Sequence, residues 1–176
     1  MAELQDVVTG LGHTDVMTYI QSGNVLFSPR PADGGAAVST DVARLAAELE
    51  RAIADCIGVH ARAVVLSSDE LARCMRENPY PGETNPKLLH AIFLPDAPGA
   101  VMADWVAEAA RQVRVKGSPD EAQLLGRTVY LHTPGGYPRS ELRRVLSRAG
   151  GPTSGAASGT ARNWATVSRL AELCRL

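Results

Sequence analysis

Three polar segments of this chain carry the side chains best suited to binding a ligand. Asn and Gln amides offer both donors and acceptors, and Arg is the usual partner of carboxylates and phosphates. These types predict binding of an anionic small molecule or a nucleic acid. The candidate ligand-binding residues are Gln21, Ser22, Asn24, Arg139, Ser140, Arg162 and Asn163.

The first segment, Gln21-Ser-Gly-Asn24, follows an apolar run. It would present amide and hydroxyl groups at the end of a sheet. The alternative is turn chemistry, because Asn and Gly suit the left-handed backbone of a tight hairpin.

The second segment, Gly135-Gly-Tyr-Pro-Arg-Ser140, leads into a helical pattern. Free backbone amides at a helix start, together with Arg139, are typical of anion sites. The segment lacks the Lys and the spacing of a P-loop. The alternative is a plain loop in which Ser140 caps the helix.

The third segment, Arg162-Asn-Trp164, is predicted to open the last helix, with Thr160 as its cap. Trp164 is expected to anchor that helix to the body of the protein. Arg162 would lie against an aromatic face or an anion.

No catalytic or metal-binding motif is recognisable in the sequence. The four histidines have neither the spacing of metal ligands nor a nucleophile or paired acid beside them in the sequence, and are predicted to be packed or exposed: His13, His60, His90 and His132. We therefore expect no metal and no cofactor. An enzyme of unrecognised chemistry acting on a phosphorylated small molecule stays open, as does a structural or interaction protein.

Charge and composition give limited information about the kind of partner that the protein binds. The net charge is −1, yet residues 139–176 hold seven Arg and two Glu. Such a basic end is typical of an anionic partner or of solvated helix faces. Aromatic residues make up 5% of the chain, too few for stacking platforms that bind single-stranded nucleic acid.

Three scattered cysteines without a CxxC motif indicate buried or half-buried free thiols in a reducing cytoplasm. No apolar run approaches the roughly 18 residues of a membrane span. The sequence does not indicate an oligomeric state.

Hydrophobic periodicity predicts an α+β protein with two similar halves. Residues 1–68 form the first half, 69–86 a linking helix and loop, and 87–176 the second half with a C-terminal helix. Each half has a β-hairpin between two helices, the centre of a split βαβ arrangement. The predicted strands are 16–21, 24–28, 61–66, 88–94, 121–125 and 128–132, and the predicted helices are 2–11, 42–57, 67–77, 100–113, 139–148 and one from 160 onward.

Several of these segments together resemble a bacterial family, the domain of unknown function 1697. They are Gly12-His-Thr-Asp-Val16, Thr18-Tyr-Ile-Gln-Ser-Gly-Asn-Val-Leu-Phe27, Asn78-Pro-Tyr80, Pro86-Lys-Leu-Leu-His-Ala-Ile-Phe-Leu94, Val129-Tyr-Leu-His132, Arg139-Ser-Glu-Leu142 and Ala161-Arg-Asn-Trp164. The resemblance covers nearly the whole chain and implies two ferredoxin-like halves. It implies no activity.

The chain departs from the family pattern in two places. Family members open with a strand and a Gly-rich loop, whereas this sequence begins at the first helix. The resemblance therefore predicts a start further upstream or a fragment whose first half lacks its opening strand. Glu141 stands where the family commonly has Lys, which reverses one charge beside Arg139 and weakens the case for an anion site there.

Overall fold

The computed structural model describes residues 2–20, 23–31, 41–148, 151–152 and 158–174. Two compact units divide the chain at Ser67 and Ser68. Gln21 and Ser22 lie outside the described residues, as does most of the predicted link at 149–159.

The first unit is an α-β-β-α arrangement around a two-stranded antiparallel sheet. Strand β1 pairs with β2, and Tyr19 lies opposite Asn24 across the hairpin. Gly23 at the turn has φ +76°, which an L side chain adopts only with strain. The elements are α1 (Ala2–Gly10), β1 (Thr14–Tyr19), β2 (Asn24–Ser28) and α2 (Val42–Ile57).

Helix α2 has clear start and stop residues in the sequence. Asp41 caps its first turn by accepting a hydrogen bond from the Arg44 amide at 3.0 Å, and Gly58 ends it in the left-handed conformation. Its buried side chains, Leu45 and Leu49, lie about one turn apart on the same apolar face of the helix. The predicted helix is confirmed.

The strand predicted at residues 61–66 is wrong, because this described stretch has no regular secondary structure. Its β-branched residues give it strand propensity, but tertiary context can override that propensity. The Ala63 amide instead donates to the Glu50 carboxylate at 2.9 Å.

The second unit contains a four-stranded antiparallel sheet in the order β4-β5-β3-β6. Two β-α-β crossovers interlock in this order, which is the ferredoxin-like arrangement. The elements are α3 (Ser68–Arg76), β3 (Leu89–Phe93), α4 (Ala100–Val115), β4 (Glu121–Leu125), β5 (Thr128–His132), α5 (Glu141–Leu146), β6 (Thr160–Asn163) and α6 (Trp164–Leu173).

Strand β6 was not predicted. Residues 160–163 pair with β3, with Ala161 opposite Ile92 and Asn163 opposite His90. Thr160 therefore begins a strand rather than capping a helix, and Asn163 caps α6 by accepting from the Thr166 amide at 2.8 Å. The error arose because Thr and Asn both favour the N-cap position of a helix, so the sequence of this short strand also resembles the start of a helix.

The two faces of this sheet bury different helices. Ile92, Val129 and Leu131 on one face pack with apolar residues of α4 and α5 into the main core. On the other face, the Tyr130 hydroxyl donates to the Cys74 carbonyl of α3 at 3.1 Å, and the Tyr130 and Trp164 rings lie 6.2 Å apart. This contact agrees with the predicted role of Trp164 as an anchor.

The structure differs from the prediction for the thiols. Cys74 is buried, but Cys56 and Cys174 are exposed, and all three are free. Within the described residues, no helix is both long and apolar enough to cross a membrane.

Arg127, in the β4–β5 turn, connects three elements of the second unit. Its guanidinium donates to both oxygens of Glu70 on α3, at 3.0 and 2.9 Å, and to the carbonyls of Leu94 and Pro95 at 3.1 and 3.0 Å. Only 14% of the Arg127 side chain is exposed. Helix α3, assigned to a link from the sequence, therefore packs inside the second unit.

Arg127→Met should lower the free energy of unfolding of the second unit by about 2–4 kcal/mol, because half-buried charged hydrogen bonds lose their donor. Urea denaturation followed by tryptophan fluorescence measures it, since Trp105 and Trp164 both lie in this unit. Arg111→Met is the matched control. Its ion pair with Glu108 is exposed, so the loss should stay within about 0.5 kcal/mol. Equal losses would contradict the role given to Arg127.

Candidate functional site

A cleft opens in the second unit between α5 and β6, and we call it the α5–β6 cleft. Its volume is about 260 Å³. Its lining residues are Ile92, Leu131, Tyr137, Arg143, Leu146, Ser147, Gly159 and Ala161.

The polar wall of the cleft comes from the turn between β5 and α5. Gly136 has φ +89°, and its amide donates to the Thr133 carbonyl at 2.8 Å. This left-handed residue, which Gly tolerates without strain, starts a 3₁₀ turn over Tyr137–Arg139. The turn carries Tyr137 to the cleft.

A buried carboxylate fixes the start of α5. Asp120, 5% exposed, accepts a hydrogen bond from the Ser140 hydroxyl at 2.7 Å and a longer one from the Leu142 amide at 3.4 Å. The Ser140 oxygen in turn accepts from the Arg143 amide at 3.0 Å. The predicted capping role of Ser140 is confirmed, and this network sets where α5 presents Arg143.

Among the described lining residues, the positive charge is that of Arg143. Its guanidinium carbon lies 5.4 Å from the centre of the Tyr137 ring, within the range of a cation–π contact. Among the described residues, no ion pair uses Arg143, whereas its neighbour Arg144 pairs with Glu141 at 3.7 Å. The guanidinium charge at the cleft is therefore not matched by a described carboxylate.

The Tyr137 ring also stacks on a buried histidine. The ring centres of His90 and Tyr137 are 3.9 Å apart and the planes differ by 14°. Burial lowers the pKa of His90 to about 4, so the imidazole is neutral near pH 7. Burial also raises the pKa of the Tyr137 hydroxyl, which therefore remains protonated. Neither ring adds charge to the cleft.

The structure describes five of the predicted site residues, Asn24 in the first unit and Arg139, Ser140, Arg162 and Asn163 in the second. Asn24 closes the first unit's hairpin, where its side-chain amide donates to the Tyr19 carbonyl at 3.2 Å. Arg139 is exposed in the 3₁₀ turn. Arg162 is paired with Ala91 and so points to the sheet face opposite Ile92, where it donates to Thr160 and to the Ala161 carbonyl. Within the second unit, Arg139 and Ser140 lie together before α5, whereas Arg162 lies on the face of the sheet opposite Ile92.

Tyr137 and Arg143 were not among the binding residues predicted from the sequence. Both lie within three residues of Ser140, so the sequence pointed to this segment but to other side chains of it. Their proximity depends on the 3₁₀ turn, which sequence spacing alone does not indicate.

The other polar cluster of this unit has a structural role. The His132 Nε2 atom lies 3.0 Å from Glu83, whose other oxygen accepts from the Asn85 amide at 2.8 Å. Chiefly that amide, and then His132, hold the pKa of Glu83 below its ordinary value. These contacts fasten the loop before β3 to β5. Within the described residues, no His, Cys, Asp and Glu side chains form a group of three or more that could hold a metal ion.

The geometry defines an α+β protein whose second unit is ferredoxin-like. The chain belongs to the DUF1697 family of proteins of unknown function, whose model matches residues 1–130. The family resemblance and the predicted fold class are thereby confirmed. Whether an opening strand is missing stays a prediction.

A solved structure with a similar fold is that of the conserved bacterial protein SP0830 from Streptococcus pneumoniae. The TM-score is 0.68 at 18% sequence identity, over 99% of this chain and 88% of that chain. At this identity the likeness concerns the fold alone. A comparison with curated proteins gave no match.

The neutral, buried His90 predicts an acid-sensitive second unit. In the unfolded chain a histidine gains its proton near pH 6.5, whereas folded His90 does so only near pH 4. Below pH 6.5 the unfolded chain binds the extra proton, so stability falls as the pH drops from 6.5 to 4 and is retained above 6.5. Between pH 6.5 and pH 4 the free energy of unfolding should fall by an amount on the order of 3 kcal/mol.

His90→Phe keeps a flat ring against Tyr137 and should reduce this pH slope. Urea denaturation followed by tryptophan fluorescence at several values between pH 7 and 4.5 measures it. His60→Phe, at an exposed position of the first unit, is the control and should leave the slope unchanged. A slope identical in wild type and His90→Phe would show that His90 titrates normally.

Proposed function

We propose that this protein is a binding module for a small anionic molecule, held in the α5–β6 cleft by Arg143 and Tyr137. The observation that carries the proposal is the guanidinium of Arg143 set over the Tyr137 ring at the mouth of a cleft of about 260 Å³. A concave site that combines apolar lining with a few convergent polar groups is the usual form of a small-molecule site.

The contacts around Arg143 favour an anion. Arg binds carboxylate and phosphate through a planar fork of donors, and the Tyr137 hydroxyl adds a neutral donor beside it. Ser147 also lines the cleft, but its hydroxyl donates to the Arg144 carbonyl at 3.1 Å. Arg139, exposed two residues from Tyr137, adds positive charge to the approach.

The lining favours binding over catalysis and a small molecule over nucleic acid. The described lining residues include no carboxylate or imidazole that would move a proton. Nucleic acid binding needs several phosphate contacts along an extended basic surface, whereas the described lining of this cleft includes one cation, Arg143. Three free cysteines support a reducing compartment, so we place the protein in the cytoplasm as part of the same proposal.

Three of the other predicted residues, Arg139, Ser140 and Asn163, are given supporting roles and do not contact the ligand in this proposal. Arg139 guides the anion to the cleft, and Ser140 acts by orienting α5. Asn163 lies opposite His90 in the sheet and caps α6. Gln21, Ser22, Asn24 and Arg162 remain ligand-binding residues predicted from the sequence and have no part in this proposal for the cleft.

Arg143→Gln should weaken binding of small anions at least tenfold, because the charged donor is removed while the helix-compatible side chain remains. Two-dimensional amide NMR with acetate, hexanoate and inorganic phosphate, each at matched ionic strength, measures it. For any anion of this set that binds, the shifts should concentrate on Tyr137, Arg143 and Ser147.

Arg144→Gln is the matched control, because Arg144 is the adjacent exposed arginine and does not line the cleft. It should leave the affinity unchanged. Equal effects of the two substitutions, or no binding of any of the three anions, would refute the proposal. A single-stranded oligonucleotide that binds with a steep loss of affinity in salt would instead favour the nucleic acid alternative.

A further inference from the structure

The outer side of helix α5 carries an excess of positive charge. The buried residues of the helix are Leu142, Val145 and Leu146, so the other residues of this stretch lie on the solvent side. All of these are exposed: Glu141, Arg143, Arg144, Ser147 and Arg148. We call Arg143, Arg144 and Arg148 the α5 arginine face.

The charge of this face is largely unmatched. Arg144 reaches Glu141 at 3.7 Å, but 62% of the Arg144 side chain stays exposed, so the pair is weak. Within the part of the chain that the structure describes, neither Arg143 nor Arg148 forms an ion pair. The residues that follow, 149–159, contain no charged side chain.

Exposed arginines on three other helices differ in this respect, because each has a carboxylate about one turn away. The pairs are Arg44 with Glu48 at 3.8 Å in α2, Arg111 with Glu108 at 2.7 Å in α4, and Arg169 with Glu172 at 2.9 Å in α6. Such pairs are typical of a helix face that contacts only water.

On α5, two arginines occupy the spacing that an oppositely charged pair has in those helices. Arg144 and Arg148 lie four residues apart, and the Arg148 amide continues the last turn by donating to the Val145 carbonyl at 3.1 Å. Like charges at this spacing destabilise a helix. The α5 arginine face therefore retains a repulsion that a bound anionic partner would relieve.

We infer that the α5 arginine face binds a short acidic segment of another polypeptide. The carboxylates of that segment would pair with Arg143, Arg144 and Arg148, because the planar guanidinium group can donate to both oxygens of a carboxylate. The inference goes beyond the proposed function, and the two share only Arg143.

The spacing of the arginines suits an extended peptide. Arg144 and Arg148 are about 6 Å apart along the helix axis, at a rise of ~1.5 Å per residue. In an extended chain, alternate side chains point the same way and are separated by about 6.6 Å. A peptide with Glu at every second position therefore presents carboxylates at nearly the spacing of the arginines.

A nucleic acid is a poorer match for this face. Its binding needs several phosphate contacts along an extended basic surface, whereas the face consists of three arginines. Residues 1–138 hold 17 acidic and 11 basic side chains, an excess of negative charge that repels a long polyanion. A short peptide requires only the local positive charge.

The test titrates the protein with two synthetic peptides and follows binding by two-dimensional amide NMR at low ionic strength. One is an acetylated and amidated peptide of alternating Glu and Ser, and the other has Gln in place of each Glu. The Glu peptide should bind and shift the amides of residues 143–148, and the Gln peptide should not. Added salt should weaken the binding, because exposed ion pairs are screened.

Arg144→Gln combined with Arg148→Gln should weaken binding of the Glu peptide about fivefold, because each change removes one exposed ion pair. Arg111→Gln combined with Arg114→Gln is the matched control, since it removes the same charge from exposed positions of α4. The control should leave the affinity within about twofold, because charges outside the contact are screened.

Equal effects of the two double variants, or equal binding of the Glu and Gln peptides, would overturn the inference. So would a Glu peptide that does not bind. A short DNA duplex that binds more tightly than the Glu peptide, and that also depends on Arg144 and Arg148, would overturn it in favour of nucleic acid.

These outcomes are separate from those of the proposed function. Binding of acetate or phosphate that depends on Arg143, but not on Arg144 or Arg148, would leave the proposed function standing after the peptide inference had failed. Peptide binding that depends on Arg144 and Arg148, with no binding of small anions, would support the inference and refute the proposed function alone.

Discussion

The pairing of strand β3 on both of its edges is the constraint on which the second unit depends. Every residue of β3 is buried, and the strand joins β5 on one side and β6 on the other. A strand that is covered on both faces and paired at both edges has its register determined by all its neighbours. Its position fixes which side chains of β5 and β6 face α5, and thus the floor of the cleft.

Much of the second unit could be predicted from the sequence, because its hydrophobic patterns and turn residues favour the same strands and helices that its tertiary contacts stabilise. The β4–β5 hairpin was found from two apolar runs around Gly126, and β3 from its continuous apolar run. Strand β6 was missed because its four residues are polar or small and owe their extended form to β3. Residues 61–66 gave the opposite error, because their β-branched side chains predicted a strand where the structure has no regular secondary structure.

The candidate site was predictable only as a segment. The sequence around Gly135 and Ser140 indicated a turn at a helix start, and Ser140 is that cap. Which arginine lines the cleft depends on how the 3₁₀ turn and the Asp120 carboxylate orient α5, and the Asp120–Ser140 contact spans 20 residues of chain. A helix-capping residue can be predicted from the sequence. The direction in which the capped helix presents its other side chains cannot.

The physical limits of the cleft also bound the affinity of its ligand. A charged hydrogen bond to Arg143 contributes about 1.5–3 kcal/mol. Association costs at least about 4 kcal/mol in lost freedom of motion. The Arg143 contact alone does not offset this cost, and a dissociation constant of about 1 mM, which corresponds to about 4 kcal/mol of net binding free energy, requires roughly 5–7 kcal/mol from further contacts. The measured affinity therefore shows how much of the binding free energy comes from contacts other than that with Arg143.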